Sequence, residues 1–293
     1  MPFKSSEPKG YRGRFAPSPT GLLHLGSLTT ALGSYLDAKA NDGEWLLRIE
    51  DIDPPREEFR AKEIIPRQLE EHGLHWDGPI LYQSSHADFY RSCLEQLELL
   101  GATYRCGCSR QEIRQMGGVH SRDCLNTPPS IANKAAIRLK IEGTYKWEDL
   151  IQKSTSFSYE ELGGDCIIHR KDGLFSYQLA VAADDHDQGI TQVVRGADLL
   201  DSTARQGFVM KTLDWPPPIY AHLPLIKGSD GRKLSKQNHA AALDSNMIVN
   251  NLHQALEFLG QNPPNEWLSY ERDDLILAAI SNWDLTKVPQ TAG

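Results

Sequence analysis

The chain has 293 residues, 40% hydrophobic and 24% charged, a composition that indicates a globular protein with a real core and excludes a disordered or fibrous chain. The formal net charge of −8 argues against a surface that is basic throughout, although RNA binding needs only a local basic track. No apolar run reaches membrane-spanning length and the polar N-terminal segment lacks a secretory signal pattern, so a cytoplasmic protein without membrane contacts is expected.

The first fifty residues predict a strand, a tight turn, a helix and a second strand. A short strand is expected at 12–16, and the prolines and glycine of 17–21 then force a turn. Apolar residues follow at helical spacing over 25–36, and an Asn-Asp-Gly triplet ends this helix. Residues 45–49 form the next strand, which completes a βαβ unit.

Later segments extend this pattern into an α/β protein. Alternating apolar residues predict strands between positions 135 and 187, and three consecutive prolines at 216–218 mark a boundary. Further helices are predicted at 57–71, which contains Pro66, at 88–100, at 203–213 and over most of the chain from Ala240. No internal repeat is present, so the pattern favours an α/β nucleotide-binding core that carries an insertion.

The first chemical motif is the proline-rich turn that leads into His24-Leu25-Gly26-Ser27. A helix N-terminus there offers free backbone N–H groups and the positive end of its dipole, both of which favour phosphate. His24 can hydrogen-bond phosphate oxygens, and Gly26 lets a nucleotide lie against the backbone. Taken alone, the motif is more typical of a turn that caps a helix.

The second motif is the loop Lys233-Leu234-Ser235-Lys236-Gln237, which follows the glycine-containing segment 228–232. A mobile loop with two lysines can close on a triphosphate and release it after reaction. Taken alone, such a loop is usually a solvated surface turn.

Together the two motifs resemble the HIGH and KMSKS signatures of class I aminoacyl-tRNA synthetases. Three further stretches resemble the glutamyl group of that family: the Arg-Phe-Ala-Pro-Ser-Pro-Thr-Gly opening from Arg14, residues 47–53, and Asp184-Asp185-His186 with residues 194–199. The resemblance extends from Arg12 to about Ala240. It implies a class I synthetase fold with a Rossmann-type core, and a ligase that activates L-glutamate with ATP.

The family resemblance also implies domain boundaries. The first half of the core would occupy 1–100, an inserted zinc-bearing subdomain 101–190, the second half of the core 191–240, and a short helical C-terminal region 241–293.

Site roles follow from the same resemblance, position by position. Glu50 would neutralise the substrate ammonium, Tyr177 would close the pocket, and Arg195 would pair with a carboxylate of glutamate. The alternative for Arg195 is a surface salt bridge to Asp198. The residues that would line the glutamate pocket are Arg14, Phe15, Ala16, Pro17 and Ser18.

The resemblance assigns the nucleotide to the two motifs. His24 and Lys236 would stabilise the pentavalent phosphate as the substrate carboxylate attacks the α-phosphorus of ATP, with Mg²⁺ accompanying the nucleotide. Gly26, Lys233 and Ser235 would complete the ATP site.

The five cysteines predict a metal site. An odd number without a secretion signal argues against a disulfide framework. The ligand set of Cys106, Cys108, His120 and Cys124 suits one structural, tetrahedral Zn²⁺. Cys93 and Cys166 have no partners at ligand spacing and are expected in the core.

The group that accepts the activated glutamate is predicted from the length of the chain, which stops at Gly293 soon after the second motif. This length leaves no room for an anticodon-binding domain and resembles short family members that transfer glutamate to the queuosine base of tRNA(Asp). A monomer that adenylates glutamate without tRNA is expected. The alternatives are a truncated glutamyl-tRNA synthetase that charges a tRNA 3′ end, a pantothenate-synthetase-like ligase, and a non-catalytic zinc- or RNA-binding module.

Overall fold

The computed structural model of the chain describes residues 10–131, 134–225 and 243–290. In chain order its strands and helices are β1 (Arg12–Phe15), α1 (Leu25–Ala40), β2 (Glu44–Ile49), α2 (Ala61–Glu71), β3 (Leu81–Tyr82), α3 (Ala87–Leu99), β4 (Thr103–Cys106), α4 (Arg110–Gln115), α5 (Asp123–Asn126), β5 (Ala136–Leu139), β6 (Thr144–Asp149), β7 (Lys153–Ser158), β8 (Cys166–His169), α6 (Tyr177–Asp187), β9 (Gln192–Gly196), α7 (Leu200–Thr212), β10 (Ile219–Leu223), α8 (Ile248–Phe258) and α9 (Arg272–Asn282). The predicted βαβ opening is confirmed by β1, α1 and β2.

Parallel strands form the centre of the fold. Strands β1, β2 and β3 pair in that order, and β9 pairs with β10 in parallel. The β6–β7 hairpin extends the second sheet beyond β10. The two sheets meet where the Thr191 amide donates to the Arg12 carbonyl at 2.9 Å, just before β9. The carboxyl ends of β1, β9 and β10 therefore lie at one edge, where α/β proteins place their ligands.

Helix α1 packs between the parallel strands and the C-terminal helices. Its buried Leu28, Leu32 and Leu36 share a hydrophobic cluster with residues of β1, β2, α8 and α9. Gly33 allows the close approach, since a Cβ there would lie 3.1 Å from a Leu223 methyl carbon and 3.3 Å from one of Leu259. This packing fixes the direction in which the N-terminus of α1 points.

A second hydrophobic cluster joins α3, α6 and α7 to the antiparallel sheet β4-β5-β8. Cys93 and Cys166 lie in it, with exposures of 1% and 3%, so their predicted core placement is confirmed. No helix within the described ranges is long and apolar enough to cross a membrane.

Two sequence expectations about secondary structure are wrong. The helix predicted at 57–71 begins only at Ala61, because Arg60 adopts a left-handed conformation with φ of 62°, although Pro66 is accommodated inside the helix. Alternating patches predict strands between 135 and 187, and β5, β6, β7 and β8 confirm them as far as His169, but Tyr177–Asp187 forms the helix α6. The Ser176 hydroxyl caps it by accepting from the Leu179 amide, and a run of small apolar residues follows. The predicted domain boundaries stay predictions.

Candidate active site and metal site

A cleft of about 500 Å³ opens at the carboxyl edge of the parallel strands. It brings together the predicted residues Arg14, Phe15, Ala16, Pro17, Ser18, His24, Gly26, Tyr177 and Arg195. Residues to which the sequence analysis assigned no site role complete its wall: Thr20, Leu23, Ser27, Thr29, Thr30, Val194, Gly196, Asp198, Leu199, Leu223, Pro224 and Leu225. The second motif, with Lys233, Ser235 and Lys236, lies outside the described residues.

His24 is the N-cap of α1 and forms a reciprocal capping box with Ser27. Its Nδ1 accepts from the Ser27 amide at 3.3 Å, and its own amide donates to the Ser27 hydroxyl at 2.8 Å. An acceptor role for Nδ1 places the proton of the neutral imidazole on Nε2. The helix thus presents an N–H donor together with its dipole at the edge of the cleft, and its first turn carries no acidic residue.

Arg14 is buried and is paired with Asp185 from the C-terminal half of α6. Arg14 Nε and Nη2 donate to the two carboxylate oxygens at 3.1 and 3.2 Å, and Arg48 Nη2 donates to Asp185 Oδ1 at 2.7 Å. Burial acts to raise the pKa of Asp185, but Arg14 and Arg48 outweigh it and hold the pKa below its usual range. Arg14 is therefore fixed in place, with its charge largely balanced.

Glu50 lies behind the cleft wall and is reached through Ser18, whose hydroxyl donates to Glu50 Oε2 at 3.5 Å. Burial raises the pKa of Glu50 to about 7, although Arg48 and Arg14 act in the opposite direction. Glu50 Oε1 has no hydrogen-bond partner among the described residues. At the cleft itself, burial raises the pKa of Tyr177 to about 12, so this phenol stays protonated.

Arg195 projects from β9 and is only 3% exposed. Its Nη2 donates to the Thr203 hydroxyl at 2.7 Å and to Gln206 Oε1 at 2.8 Å, and its Nε donates to His222 Nε2 at 3.3 Å. Nη1 has no partner among the described residues. The surface salt bridge to Asp198 that the sequence left open is wrong, because the Arg195 guanidinium is buried.

The supporting groups of both arginines were missed at the sequence level. Asp185 belongs to a segment that was noted only as a family resemblance, and Thr203, Gln206 and His222 had no assigned role. Local sequence spacing does not indicate Thr203, Gln206 or His222. These residues meet Arg195 only because β9 pairs in parallel with β10 and α7 packs beside them.

The predicted metal ligands come together. The ligand atoms of Cys106, Cys108, His120 and Cys124 all lie within 4.8 Å of one another. Cys106 Sγ lies 3.2 Å from His120 Nε2, and the Cys108 and Cys124 sulfurs are 3.5 Å apart. These separations are close to the edges of about 3.5–3.8 Å that tetrahedral Zn–S and Zn–N bonds would give. The cluster could therefore hold a metal ion.

The surroundings of the cluster also suit a metal. The Tyr104 hydroxyl lies 3.0 Å from His120 Nδ1 and donates to Asp165 Oδ2 at 2.8 Å, the type of outer contact that orients a ligating imidazole. Burial acts to raise the pKa of Cys106, but Arg138 outweighs it and holds the pKa below its usual value, which favours the thiolate.

The family model for tRNA synthetases class I (E and Q), catalytic domain, matches residues 11–259. The chain therefore belongs to this family and is an aminoacyl-tRNA-synthetase-type ligase, as the sequence resemblance and the α/β fold predict. It is 46% identical to the glutamyl-Q tRNA(Asp) synthetase of Escherichia coli K12 over 99% of this chain and 94% of that protein. The protein of the same name from Citrobacter koseri is 48% identical over 96% and 95%.

Among solved structures, a glutamate tRNA ligase from Elizabethkingia meningosepticum in complex with its amino acid matches with a TM-score of 0.81 and 28% identity. The match covers 97% of this chain and 66% of that one. A glutamate-tRNA synthetase from Elizabethkingia anophelis matches similarly, with a TM-score of 0.80.

Proposed function

We propose that this protein activates L-glutamate with ATP and transfers it to the queuosine base of tRNA(Asp). The observation that carries the proposal is Arg195: a buried guanidinium in the cleft wall whose Nη1 has no partner among the described residues. A buried cation with one unused donor is suited to a carboxylate, which accepts charge-assisted hydrogen bonds.

The side-chain carboxylate and the ammonium group of glutamate would be bound by residues of opposite charge. Arg195 would donate to the side-chain carboxylate, and Glu50, reached through Ser18, would balance the ammonium. Arg14 and Tyr177 would line the pocket between them. Because Arg14 and Arg195 are already held by hydrogen bonds within the chain, the amino-acid site is preorganised, which supports adenylation without tRNA.

In the activation step, the α-carboxylate of glutamate would attack the α-phosphorus of ATP and expel pyrophosphate. His24 Nε2 would donate to the developing phosphate charge, and Gly26 would let the nucleotide approach α1. Lys233, Ser235 and Lys236 would contact the triphosphate. Mg²⁺, carried by the nucleotide, would supply further charge neutralisation.

In the transfer step, a hydroxyl of the queuosine cyclopentene ring would attack the activated carbonyl. An ester would form and AMP would leave. The choice of queuosine as the acceptor is supported by the glutamyl-Q tRNA(Asp) synthetases of Escherichia coli and Citrobacter koseri, which are 46% and 48% identical to this chain. Cys106, Cys108, His120 and Cys124 would hold a structural Zn²⁺ that stabilises the segment between β4 and β5, away from the reacting atoms.

Two assays test the proposal. ATP–pyrophosphate exchange with each of the twenty amino acids should depend on glutamate, and exchange with another amino acid alone would contradict the substrate. Labelled glutamate should then load tRNA(Asp) that carries queuosine but lacks its terminal adenosine. Loading only of tRNA with an intact 3′ end and no queuosine would instead identify an enzyme that charges the 3′ end.

A further inference from the structure

The guanidinium of Arg195 is connected to a buried carboxylate that lies outside the cleft. In the parallel pairing of β9 and β10, Arg195 lies opposite His222. Arg195 Nε donates to His222 Nε2 at 3.3 Å, and His222 Nδ1 lies 2.5 Å from Asp149 Oδ2. The side chains of His222 and Asp149 are fully buried. The result is a continuous chain of hydrogen bonds from the end of β6 to the cleft wall.

The direction of these hydrogen bonds fixes the proton of His222. Arginine only donates, so the contact with Arg195 Nε requires a lone pair on His222 Nε2, an atom that the Thr203 hydroxyl also contacts at 2.8 Å. The imidazole proton therefore lies on Nδ1 and is donated to Asp149. Burial lowers the pKa of His222, the charge of Arg195 adds to this effect, and the hydrogen bond to Asp149 opposes it. The imidazole is thus a neutral acceptor for the arginine.

Asp149 is held rigidly at the other end. Its Oδ1 accepts from the backbone amides of Ile151 at 3.0 Å, Gln152 at 2.9 Å and His222 at 3.1 Å. Burial acts to raise its pKa, but the hydrogen bonds from His222 and from these amides outweigh it and hold the pKa below its usual range. A fixed carboxylate that accepts from Nδ1 excludes the other tautomer, in which His222 Nε2–H would face Arg195 Nε–H.

We infer that His222 is a positioning residue for substrate selection, which sets the plane of the Arg195 guanidinium; this rests on the proposed role of Arg195 with glutamate. Thr203 and Gln206 both hold Nη2, which is one point of the planar group. His222 holds Nε, which is a second point. With two of its three nitrogens fixed, the guanidinium presents Nη1 in one direction, as an end-on contact with a carboxylate requires.

Two substitutions of His222 test its contact with Arg195 separately from its contact with Asp149. In His222→Gln the amide oxygen can occupy the position of Nε2 and accept from Arg195, but the contact with Asp149 is lost. In His222→Asn the amide can occupy the position of Nδ1 and donate to Asp149, but Arg195 loses its acceptor. Ser202→Ala is the matched control, because Ser202 precedes Thr203 on α7 but its hydroxyl accepts from Gln178 Nε2 at 3.1 Å.

In glutamate-dependent ATP–pyrophosphate exchange, His222→Asn should raise KM for glutamate roughly tenfold, the effect of losing one hydrogen bond to a charged group. KM for ATP should stay within about twofold in every variant, and His222→Gln should keep KM for glutamate within about threefold of wild type. Asp149→Asn should also raise KM for glutamate, because an amide that donates to Nδ1 would place the imidazole proton against Arg195. It provides the test if His222→Asn does not fold.

A larger KM increase in His222→Gln than in His222→Asn would overturn the inference and leave His222 as a structural contact of Asp149. An unchanged KM for glutamate in both His222→Asn and Asp149→Asn would also overturn the inference. The proposed function would still stand in that case if the wild-type protein shows glutamate-dependent exchange. Wild-type exchange that does not depend on glutamate would reject the proposed function itself.

Discussion

Glu50 is expected to make glutamate binding depend on pH. Burial raises its pKa to about 7. The buried cluster around it holds three carboxylates, those of Glu50, Asp184 and Asp185, and two guanidiniums, those of Arg14 and Arg48. The ammonium of the substrate would supply the third positive charge. Glu50 must therefore be ionised when glutamate binds, although about half of it is protonated at pH 7 in the free protein.

The magnitude follows from the pKa. At pH 6 roughly a tenth of Glu50 is ionised, so KM for glutamate should rise about tenfold for each pH unit below 7 and level off above about pH 8. Glu50→Gln removes the titrating group, so its KM should be nearly independent of pH. That KM should also be about tenfold to a hundredfold above the wild-type value at high pH, because a charge-assisted contact of about 1.5–3 kcal/mol is lost.

The assay is ATP–pyrophosphate exchange at saturating ATP, with KM for glutamate measured from about pH 5 to about pH 9. Glu63→Gln, at an exposed position on α2, is the matched control and should keep the wild-type profile. A Glu50→Gln protein that retained the wild-type slope would refute the reasoning. The titration would then belong to another carboxyl, with Asp184 the first candidate because burial raises its pKa too.

Three further outcomes are expected. Cys108→Ser should lose bound zinc, measured by elemental analysis, and should lower Tm; unchanged metal content would contradict the ligand assignment. Arg195→Ala should reduce the preference for glutamate over glutamine by about tenfold to a hundredfold in exchange assays, since a charge-assisted hydrogen bond is worth about 1.5–3 kcal/mol. Normal selectivity would move recognition to Arg14. Lys236→Ala should keep KM for glutamate but lose most of the exchange rate, because its charge matters most at the transition state. A wild-type rate would contradict the assignment of the second motif.

Local sequence patterns were sufficient to predict the features that depend on residues close together in the chain. The turn before His24 and the apolar spacing of α1 predict a helix N-terminus, and the capping box with Ser27 is formed. The cysteine and histidine spacing predicts the metal cluster in the same way. Both features depend on side-chain types within one short continuous segment, so they can be predicted from the sequence.

Long-range contacts could not be predicted in this way. The hydrogen bond between Arg195 and His222 depends on the register of β9 against β10, and a parallel pairing leaves no turn that sets the register. Helix α6 begins where the alternating pattern of the preceding strands stops, and its Ala180-Val181-Ala182-Ala183 stretch is rich in alanine, which favours helix. Arg60 moves the start of the predicted helix to Ala61 through its left-handed backbone, a conformation that its residue type does not indicate.

The β6–β7 hairpin and α6 tie the segment predicted as an insertion to both predicted halves of the core. Asp149 at the end of β6 and Asp185 in α6 both belong to the predicted insertion 101–190, yet they hold His222 and Arg14 of the flanking halves. Excision of that segment, as in the design of a minimal enzyme, would leave Arg14 buried without its counter-charge. An uncompensated buried charge costs about 3–5 kcal/mol, a large part of the stability of a domain of this size. Any trimming of the segment that carries the cysteine cluster would therefore have to end before β6 and leave β6, β7 and α6 in place.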